Sequence, residues 1–501
     1  MRWKTRLIVC AVALAMIIPA VVLAQSSKLT SKKTAKKAAN GQSAADWPMY
    51  GRDLAGSHYN PNEKQLTPAS VGRLKVKWIF ETGGDVSSQP TVVDGVVYFG
   101  SWDGKEYAVD AKTGHKLWEF ETGGYPSRSG AAYAAGVVYF ADAGGRMFAL
   151  DAKTGQKLWQ VKVDPHPMNI CTSAPIYHNG RVYIGVSSRE EVVMMGGNSK
   201  YECCTFRGGV AAFDAKTGKQ AWRFYTVKEE PKEQGKDKFG RRIFGPSGVG
   251  VWSTVAIHPQ EKRLYLTTGD DYTPPESNMS DAIIALDLDT GKMIWSYQAT
   301  PGDVWNANCM GKVYDKDCGP DHDFGTIPMM FKGAGGRRLL GAGQKSGWFY
   351  AVDPKDGKLV WKTPVGPGGF LGGIEFGAAT DGERVYAAIS NHPKQGSVSA
   401  LDGATGKILW QTLSPDKKSN FGPITVTGTG DNRLVFAGSS GNFIRAYDAR
   451  DGKILWEYDT GGAVGGGPTV VDGVLYVGSG YTSLRIGKGN NKLYAFSIDG
   501  Q

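Results

Sequence analysis

A tryptophan recurs eight times in one local context, and this repeat constrains the fold more than any other feature of the sequence. Three nearly unchanged copies of the phrase Asp-Ala-Lys-Thr-Gly, a short basic stretch and Trp cover Asp110–Trp118, Asp151–Trp159 and Asp214–Trp222. The other tryptophans of the repeat are Trp78, Trp295, Trp361, Trp410 and Trp456. A motif that recurs roughly every 40 to 70 residues indicates an array of one supersecondary unit. Each copy of the unit buries its apolar face against its neighbours.

The repeated unit is predicted to consist of strands. Residues 90–121 read PTVVDGVVYFGSWDGKEYAVDAKTGHKLWEFE, where short β-branched and aromatic runs alternate with Asp-Gly and Thr-Gly pairs. These pairs supply the positive φ of tight hairpin turns. Each copy is therefore expected to form a four-stranded antiparallel sheet.

The two ends of the repeat complement each other. Residues 468–480 restart the unit after Trp456, but the chain ends before another terminal Trp strand. Pairing the segment Leu493–Phe496 with the strand around Trp78 would complete this last sheet and leave no open edge. The sequence therefore predicts an all-β, eight-bladed β-propeller closed by its N- and C-terminal strands. The alternatives are a linear solenoid or two stacked sandwiches.

The N-terminus is predicted to be a targeting segment. Arg2, Lys4 and Arg6 precede an apolar run, and Val22-Leu23-Ala24 offers small residues for a signal peptidase. We expect a signal peptide over 1–24, a Lys-rich flexible tail over 25–45 and the propeller over 46–501. The mature protein would then be periplasmic or secreted, with no transmembrane segment after cleavage; a retained membrane anchor is the alternative.

The basic balance of the chain does not indicate nucleic-acid binding. Of the net charge of +10, three positive charges lie in the signal peptide and five in the tail, which leaves +2 on the propeller. A nearly neutral body has no polyanion-binding face to offer, so we expect no nucleic-acid partner.

Five cysteines remain after signal cleavage, and export permits disulfides between them. Cys309 and Cys318 bracket a short polar interval, which favours a staple across a long loop. Cys203 and Cys204 can form a bridge between neighbouring residues, or one of them can pair with Cys171. The sequence contains neither Cys-x-x-Cys-His, the attachment motif of c-type haem, nor a zinc-binding Cys/His spacing.

Several segments resemble one family. The opening ADWPMYGRDLAGSHYNP, the Trp-ended repeats and the motifs VSSREE, TGDDYTPP, GDVWNANCM and GPDHDFGTIP are similar to quinoprotein alcohol dehydrogenases, most of all to the polyvinyl-alcohol dehydrogenases. The resemblance covers about residues 46–501. It implies an eight-bladed enzyme that holds pyrroloquinoline quinone (PQQ) and a metal ion, Ca²⁺ or a lanthanide.

The resemblance also assigns residues to the cofactor. Trp252 lies where family members place the Trp that stacks on the flat quinone. Lys345 matches the cation beside the quinone, Arg128 the carboxylate-binding Arg, and Thr172 the hydroxyl donor. As isolated residues, each of these would more often be a turn or packing residue.

Metal ligands are expected among the acids, because a hard cation needs clustered oxygens. Glu191 is the first candidate, with Glu190 as the alternative one residue away. Asp270 stands where many relatives have Asn, and Asp321 and Asp323 would complete the set. Asp323 resembles the additional acid of lanthanide-using relatives, and in a strand Asp321 and Asp323 would share a face.

The catalytic base is where this sequence departs from the family pattern. Relatives usually run from Asp-x-Trp directly into Asp, but here Asp303-Val304-Trp305 is followed by Asn306, whose amide cannot accept the substrate proton. We interpret residues 306–320 as an insertion after which the pattern resumes at Asp321. Asp321 is then the predicted base, and Asp303 is the alternative.

Together these features predict a PQQ-dependent alcohol dehydrogenase. Hydride would pass from the carbinol carbon of an alcohol to the quinone, while Asp321 removes the hydroxyl proton. The resemblance to polyvinyl-alcohol dehydrogenases implies a polymeric secondary alcohol as the substrate. Because no haem motif is present, the expected electron acceptor is a separate cytochrome c. The alternative is a non-catalytic propeller that acts as a protein-binding scaffold in the cell envelope, since the fold alone does not decide function.

Overall fold

The computed structural model of the protein describes residues 44–193, 200–310 and 318–501. The predicted signal peptide and most of the predicted Lys-rich tail lie outside the described residues, as does part of the insertion after Asn306. None of the helices in the described ranges has the length and apolar character needed to cross a membrane.

The described chain forms eight four-stranded antiparallel blades, as predicted. The strands of blade 1 are Thr91–Val93, Val96–Gly100, Lys105–Asp110 and Lys116–Glu121, and those of blade 2 are Ala132–Ala134, Val137–Ala141, Arg146–Asp151 and Lys157–Lys162. Blade 3 contains Ile176–His178, Arg181–Ser188, Gly209–Asp214 and Gln220–Tyr225. Blade 4 contains Ala256–His258, Arg263–Thr267, Ala282–Asp287 and Met293–Gln298. Blade 5 contains Met329–Lys332, Arg338–Gly343, Trp348–Val352 and Leu359–Pro364. Blade 6 contains Ala378–Thr380, Arg384–Ile389, Ser397–Asp402 and Ile408–Leu413. Blade 7 contains Thr425–Thr427, Leu434–Gly438, Phe443–Asp448 and Ile454–Asp459.

Blade 8 closes the ring by combining both ends of the described chain. Its strands are Thr469–Val471, Val474–Ser479, Lys492–Ile498 and, as the outermost, Leu74–Glu81. In the antiparallel register of the last pair, Trp78 lies opposite Ala495. The first strands of neighbouring blades contact one another, so these strands surround the central axis. The predicted closure is confirmed.

Each repeat tryptophan joins its own blade to the next one. The indole Nε1 of Trp118 in blade 1 donates to the carbonyl of Ala152 in blade 2 at 2.9 Å, and the Trp159 indole donates to Ala215 in the same way. The ring of Trp118 also covers Gly155, whose φ is +73°; a Cβ at this glycine would lie 2.8 Å from the ring. The repeated phrase therefore encodes both a turn and the docking site for the preceding tryptophan.

The connections of a four-stranded blade emerge on two opposite faces. The turns between strands 1 and 2 and between strands 3 and 4 lie on one face, and the latter hold the Asp-Ala-Lys-Thr-Gly phrase. The connections from strand 2 to strand 3, and from strand 4 to the next blade, lie on the other face. All the long insertions leave on this second face, which we call the insertion face.

The remaining elements are short. They are the strands Tyr59–Asn60, Asn169–Ile170, Ser247–Gly248 and Asp271–Thr273, the hairpin Lys232–Lys236 and Arg242–Gly245, the α-helix Glu190–Val193, and the 3-10 turns Val71–Arg73, Pro259–Glu261, Ala334–Gly336, Gly430–Asn432 and Ser483–Arg485. Tyr59–Asn60 extends blade 7 by pairing in parallel with its first strand. The hairpin and the helix lie on the insertion face.

Two disulfides are present on the insertion face. Cys309 is joined to Cys318, as expected. Cys203 is joined to its neighbour Cys204, and Cys171 is a buried free thiol. Of the two arrangements that the sequence left open, the structure therefore has the bridge between neighbouring residues.

Replacing one repeat tryptophan should cost a large part of the stability of the ring. Trp118 is 7% exposed, whereas Leu117 beside it on the same strand is 52% exposed. We expect Trp118→Ala to lower the free energy of unfolding by about 3–5 kcal/mol through the lost apolar contacts, and Leu117→Ala to change it by about 0.5 kcal/mol or less. Guanidinium denaturation followed by tryptophan fluorescence measures both. Equal effects in the two variants would contradict the role of Trp118 as an interblade contact.

Candidate active site

Three charged side chains of the insertion face come from the same topological position in successive blades. Glu191, Asp270 and Lys345 each follow the second strand, in blades 3, 4 and 5 respectively. Because equivalent positions of neighbouring blades lie side by side around the axis, residues far apart in sequence meet here. Asp321 joins them from the connection between blades 4 and 5.

The carboxylates of Glu191, Asp270 and Asp321 form one cluster, in which one oxygen of each lies within 4.8 Å of the others. Among the described residues, neither oxygen of Asp270 and only one oxygen of Asp321 has a hydrogen-bond partner, although both side chains are buried; Glu191 is half-buried. Burial raises the pKa of Glu191 and of Asp270, and the neighbouring Asp323 raises both further. Unpaired buried oxygens of this kind favour a bound cation.

Lys345 supplies a positive charge at the edge of the cluster. Its Nζ donates to Oδ1 of Asp321 at 2.6 Å and to Oδ2 of Asp323 at 3.0 Å. Burial disfavours the charged ammonium, but the carboxylates of Asp321 and Asp323 outweigh this effect and raise the pKa of Lys345. Burial raises the pKa of Asp321 to about 7, against the opposing effect of Lys345. One ammonium therefore balances only part of the negative charge.

Asp323 connects the acid cluster to Trp252. Its Oδ2 accepts the indole N–H of Trp252 at 3.0 Å, and its Oδ1 accepts the backbone N–H of Asp270 at 2.8 Å. Gly269 must be small here, because a Cβ would lie 2.9 Å from Oδ1 of Asp323. Asp323 thus lies beside the three-carboxylate cluster, with both of its oxygens engaged by protein donors.

The strand that would have placed Asp321 and Asp323 on one face does not form. Residues 318–325 have no strand, and Asp321 has a left-handed φ of +57°. The two carboxylates meet at Lys345 because the loop turns back on itself. The carboxylate of Asp303 stabilises this turn by accepting the backbone N–H of Asp321 at 3.1 Å and that of His322 at 2.7 Å.

Of the two adjacent glutamates, Glu191 faces the cluster and Glu190 faces away from it. Glu190 is fully buried and accepts the backbone N–H groups of Thr205 and Phe206 at 2.8 and 2.7 Å. It therefore fixes the loop with the Cys203–Cys204 bridge to the short helix Glu190–Val193. The backbone carbonyl of Glu191 accepts the N–H of Ala307, which holds the start of the insertion against the same helix.

A pocket with a cavity volume of about 130 Å³ lies at the axis beside this cluster. Trp252, Arg128 and Thr172 all line it, each from a connection into the first strand of a blade. The guanidinium of Arg128 lies 4.1 Å above the ring of Trp102, and its Nε has no hydrogen-bond partner within the described chain. Thr172 Oγ1 donates to the backbone carbonyl of Trp252 at 3.0 Å.

Trp252 presents its ring to the pocket in a fixed orientation. Phe376 contacts it edge-on at 5.5 Å between ring centroids, and Lys345 Nζ lies 5.6 Å from its ring. Gly325 allows this position, because a Cβ there would lie 2.2 Å from the indole. Trp252 lines the pocket, and Lys345, which does not line it, approaches the same indole from the next blade.

Two buried acids near the cluster were missed in the sequence analysis. Burial raises the pKa of Glu375 to about 8, with an opposing effect of Lys345. Asp281 is fully buried, and both burial and the nearby Asp303 raise its pKa. Both stand beside apolar runs, in Gly-Gly-Ile-Glu-Phe and Ser-Asp-Ala-Ile-Ile-Ala, which is the signal that would have marked them as buried.

The residues fit both groups that the resemblance implies. The three clustered carboxylates with unpaired oxygens suit a hard cation such as Ca²⁺ or a lanthanide. The flat indole of Trp252 and the unpaired Arg128 Nε suit a planar aromatic acid that carries carboxylates. Lys345 lies between the two sets, within reach of both.

Most of the chain matches two known protein families. Residues 47–365 match the family of the glucose/ethanol/alcohol dehydrogenase β-propeller domain, which is the PQQ domain. Residues 345–412 and 394–500 match the outer membrane protein assembly factor BamB. The clustered acids, Trp252 and Lys345 all fall in the part that matches the dehydrogenases.

Individual relatives agree with this assignment. A polyvinylalcohol dehydrogenase of Pseudomonas sp is 36% identical over 91% of this chain and 77% of its own length. Among solved structures, the quinohemoprotein alcohol dehydrogenase ADHIIG of Pseudomonas putida HK5 superposes with a TM-score of 0.74 at 23% identity, over 91% of this chain and 81% of that one. A europium-containing methanol dehydrogenase superposes with a TM-score of 0.71 at 19% identity, over 91% and 98% of the two chains. At these identities the two structures support the fold.

A cation should stabilise the protein through the carboxylate cluster. We expect CaCl₂ or LaCl₃ to raise the melting temperature of the wild type, since a ligand at about 100 times its Kd contributes about 2.7 kcal/mol. Asp270→Asn should remove most of this shift by deleting one ligand charge. Asp271→Asn is the matched control, because Asp271 accepts the N–H of Ser277 and lies outside the cluster. An undiminished shift in Asp270→Asn would exclude Asp270 as a ligand.

Proposed function

The chain belongs to the PQQ-dependent alcohol dehydrogenases, and from this premise we propose that it oxidises a polymeric secondary alcohol such as polyvinyl alcohol. The observation that supports this substrate is the 36% identity, over most of both chains, to a relative named polyvinylalcohol dehydrogenase. The observation that supports catalysis is the cluster of half-buried Glu191 with buried Asp270 and Asp321 beside the Trp252 pocket.

In the proposed site, the cation is held by Glu191, Asp270 and Asp321, with Asp323 as the fourth acid beside it. A cation next to these carboxylates favours their charged forms, which burial alone disfavours. The net negative charge of the site bears on whether Ca²⁺ or a lanthanide is the resident ion, since a lanthanide carries the higher charge. The four acids with a single adjacent lysine favour a cation of high charge.

The proposed cofactor site uses the residues around the axial pocket. Trp252 provides the stacking surface, Arg128 and Thr172 provide donors at the carboxylates, and Lys345 provides the positive charge beside the quinone. The hydrogen bond from Trp252 to Asp323 fixes the indole relative to the proposed metal ligands. Bound PQQ supplies the electron-pair acceptor that protein side chains lack.

The proposed catalytic base is Asp321, which would accept the hydroxyl proton of the alcohol at a carboxylate oxygen. Its Oδ2 has no partner in the described chain, whereas Oδ1 is held by Lys345. Asp303, the alternative base, uses its two oxygens to accept backbone N–H groups of the loop that carries Asp321. The geometry therefore favours Asp321 as the base and Asp303 as its positioning residue.

The proposed electron acceptor is a separate cytochrome c, and the proposed location is the periplasm or the cell exterior. Oxidation of an alcohol leaves two electrons on the cofactor, and the sequence has no Cys-x-x-Cys-His motif to hold a haem of its own. The location follows from the N-terminal pattern of basic residues, an apolar run and small residues.

The second candidate function is a non-catalytic scaffold, which the match of residues 345–500 to BamB favours. A scaffold needs the interblade tryptophans but has no use for buried acids with unpaired oxygens, which destabilise a fold that binds no cation. Detection of alcohol-dependent electron transfer by protein reconstituted with PQQ and a metal decides between the two.

Loss of the base should abolish turnover while the site remains assembled. We expect Asp321→Asn, reconstituted with PQQ and Ca²⁺ or La³⁺, to oxidise polyvinyl alcohol about a hundredfold or more slowly, because the amide cannot accept the proton. Spectroscopic titration of PQQ should show cofactor binding largely retained. Asp323→Ala should act mainly through the metal, by changing which ion supports activity. If Asp303→Asn alone abolished turnover, the base would be Asp303.

Removal of the stacking surface should weaken cofactor binding. We expect Trp252→Ala to raise the Kd of PQQ by about a hundredfold, which corresponds to about 3 kcal/mol of lost contact. Trp252→Phe keeps an aromatic face and should lose much less. Equilibrium dialysis with PQQ and Ca²⁺ measures both, and an unchanged Kd in Trp252→Ala would reassign this residue to packing between blades.

A further inference from the structure

A basic hairpin projects from the insertion face between blades 3 and 4. Its strands are Lys232–Lys236 and Arg242–Gly245, and every residue of the first strand is exposed. The segment 228–242 contains six basic and four acidic residues, so it is more positive than the nearly neutral propeller. We call residues 232–242, most of which are exposed, the hairpin tip.

The base of the hairpin is fixed to the segments that build the active site. The backbone of Phe244 donates to the carbonyl of Cys203 at 2.9 Å and accepts the N–H of Cys204, so the hairpin adjoins the Cys203–Cys204 bridge. The hydroxyl of Thr273, three residues after Asp270, donates to the carbonyl of Phe244. The hairpin therefore contacts the loop that Glu190 anchors and the strand that follows Asp270.

A third contact links the hairpin to the insertion. The guanidinium of Arg241 reaches the side-chain oxygen of Asn308 at 3.5 Å, while its Nε is paired with Asp237 at 2.6 Å. The insertion starts beside Asp303 and contacts Glu191 through Ala307. Three separate segments of the site thus hold one exposed element, which gives that element a defined position over the site.

The tip combines positive charge with an exposed aromatic ring. Phe239 is 55% exposed and lies between the ammonium of Lys238, at 5.5 Å, and the guanidinium of Arg241, at 5.1 Å. Lys232 and Lys236 form no ion pair with any part of the chain that the structure describes. An exposed aromatic ring beside an arginine is typical of protein-binding surfaces, in which aromatic residues and Arg are enriched.

We propose that this hairpin is the docking surface for the electron acceptor, a one-electron carrier protein with an acidic face around its redox group. The inference rests on the proposed function, because oxidation of one alcohol group releases two electrons and two protons. The electrons pass to two molecules of carrier, each reduced by one electron, and the protons pass to solvent. The lysines attract the acidic face, and Phe239 forms the buried centre of the contact.

Charge decides between this partner and the polymeric substrate. Polyvinyl alcohol is uncharged, so exposed lysines would add nothing to its binding, whereas they accelerate the encounter with an acidic protein.

Charge reversal at the hairpin tip tests the proposal. The variant Lys232→Glu/Lys236→Glu changes two exposed residues that take no part in the catalytic or cofactor sites. The matched control, Lys153→Glu/Lys216→Glu, places the same charges in the Asp-Ala-Lys-Thr-Gly turns on the opposite face. Each protein is loaded with PQQ and metal and assayed with a purified acidic c-type cytochrome, a basic mitochondrial cytochrome c, and 1,4-benzoquinone as a small uncharged acceptor.

We expect the hairpin variant to lose about tenfold or more in kcat/KM for the acidic cytochrome at low ionic strength, with a weaker salt dependence. The rate with benzoquinone, the KM for alcohol and the control variant should be unchanged. Phe239→Ala should also raise the KM for the acidic cytochrome. Unchanged rates with that cytochrome would overturn the proposal, and so would a raised KM for polyvinyl alcohol alone, which would make the hairpin a substrate-binding element.

The failure of the proposed function has a different result. If the unmodified protein did not reduce benzoquinone with any alcohol, the dehydrogenase assignment would fail. The docking proposal is then decided by isothermal titration calorimetry of the same cytochrome with the loaded protein, which needs no turnover. Binding to the wild type and the control variant, but not to the hairpin variant, supports docking; equal binding to all three contradicts it.

Discussion

The contact between each repeat tryptophan and the turn of the following blade is the interaction on which the rest of the structure depends. In most blades the indole covers a turn glycine and its Nε1 donates to a carbonyl of the next blade, so one side chain supplies both apolar burial and a directed hydrogen bond. Two copies have only one part of this contact: Trp222 covers Gly291 but its Nε1 has no partner in the described chain, and Trp456 donates to Leu74 without covering a glycine. Since the contact recurs around the ring, its contributions add to the stability of a closed object, and Leu74 belongs to the blade that holds both chain ends. Closure and interblade packing are therefore one interaction repeated.

This ring explains how a site rich in buried negative charge is tolerated. Buried carboxylates without partners are unfavourable, and no local segment of strand and turn could hold them by itself. The blades fix the ends of the second strands of neighbouring sheets side by side, which places Glu191 and Asp270 together at no additional conformational cost. The stability of the scaffold offsets the repulsion among the acids, which the proposed cation would relieve. Function thus lies in the connections, and stability in the strands.

The fold could be predicted because the sequence pattern that encodes a blade is repeated along the chain. Each residue of the site, in contrast, occurs in a segment that is not repeated. Turn phrases and alternating apolar runs predicted the number of blades and the closure with Trp78. The placement of Asp321 depended on recognising an insertion, and the structure brings Asp321 to Lys345 in a left-handed loop where a strand was expected. Glu375 and Asp281 were missed although each adjoins an apolar run, because such a run indicates that an acid is buried but not which site it lies beside. Neighbouring blades set that position.

Asp323 connects the proposed metal ligands to the residues proposed to bind the cofactor. One of its oxygens holds the indole of Trp252 and the ammonium of Lys345, and the other holds the backbone of Asp270. An ion that drew this carboxylate towards itself would also move the proposed stacking surface and the lysine beside it. In the proposed site, the identity of the metal would therefore be coupled to the position of the cofactor through a single side chain. A larger or more highly charged ion would then require compensation at Trp252 and Lys345 as well as at the ligands.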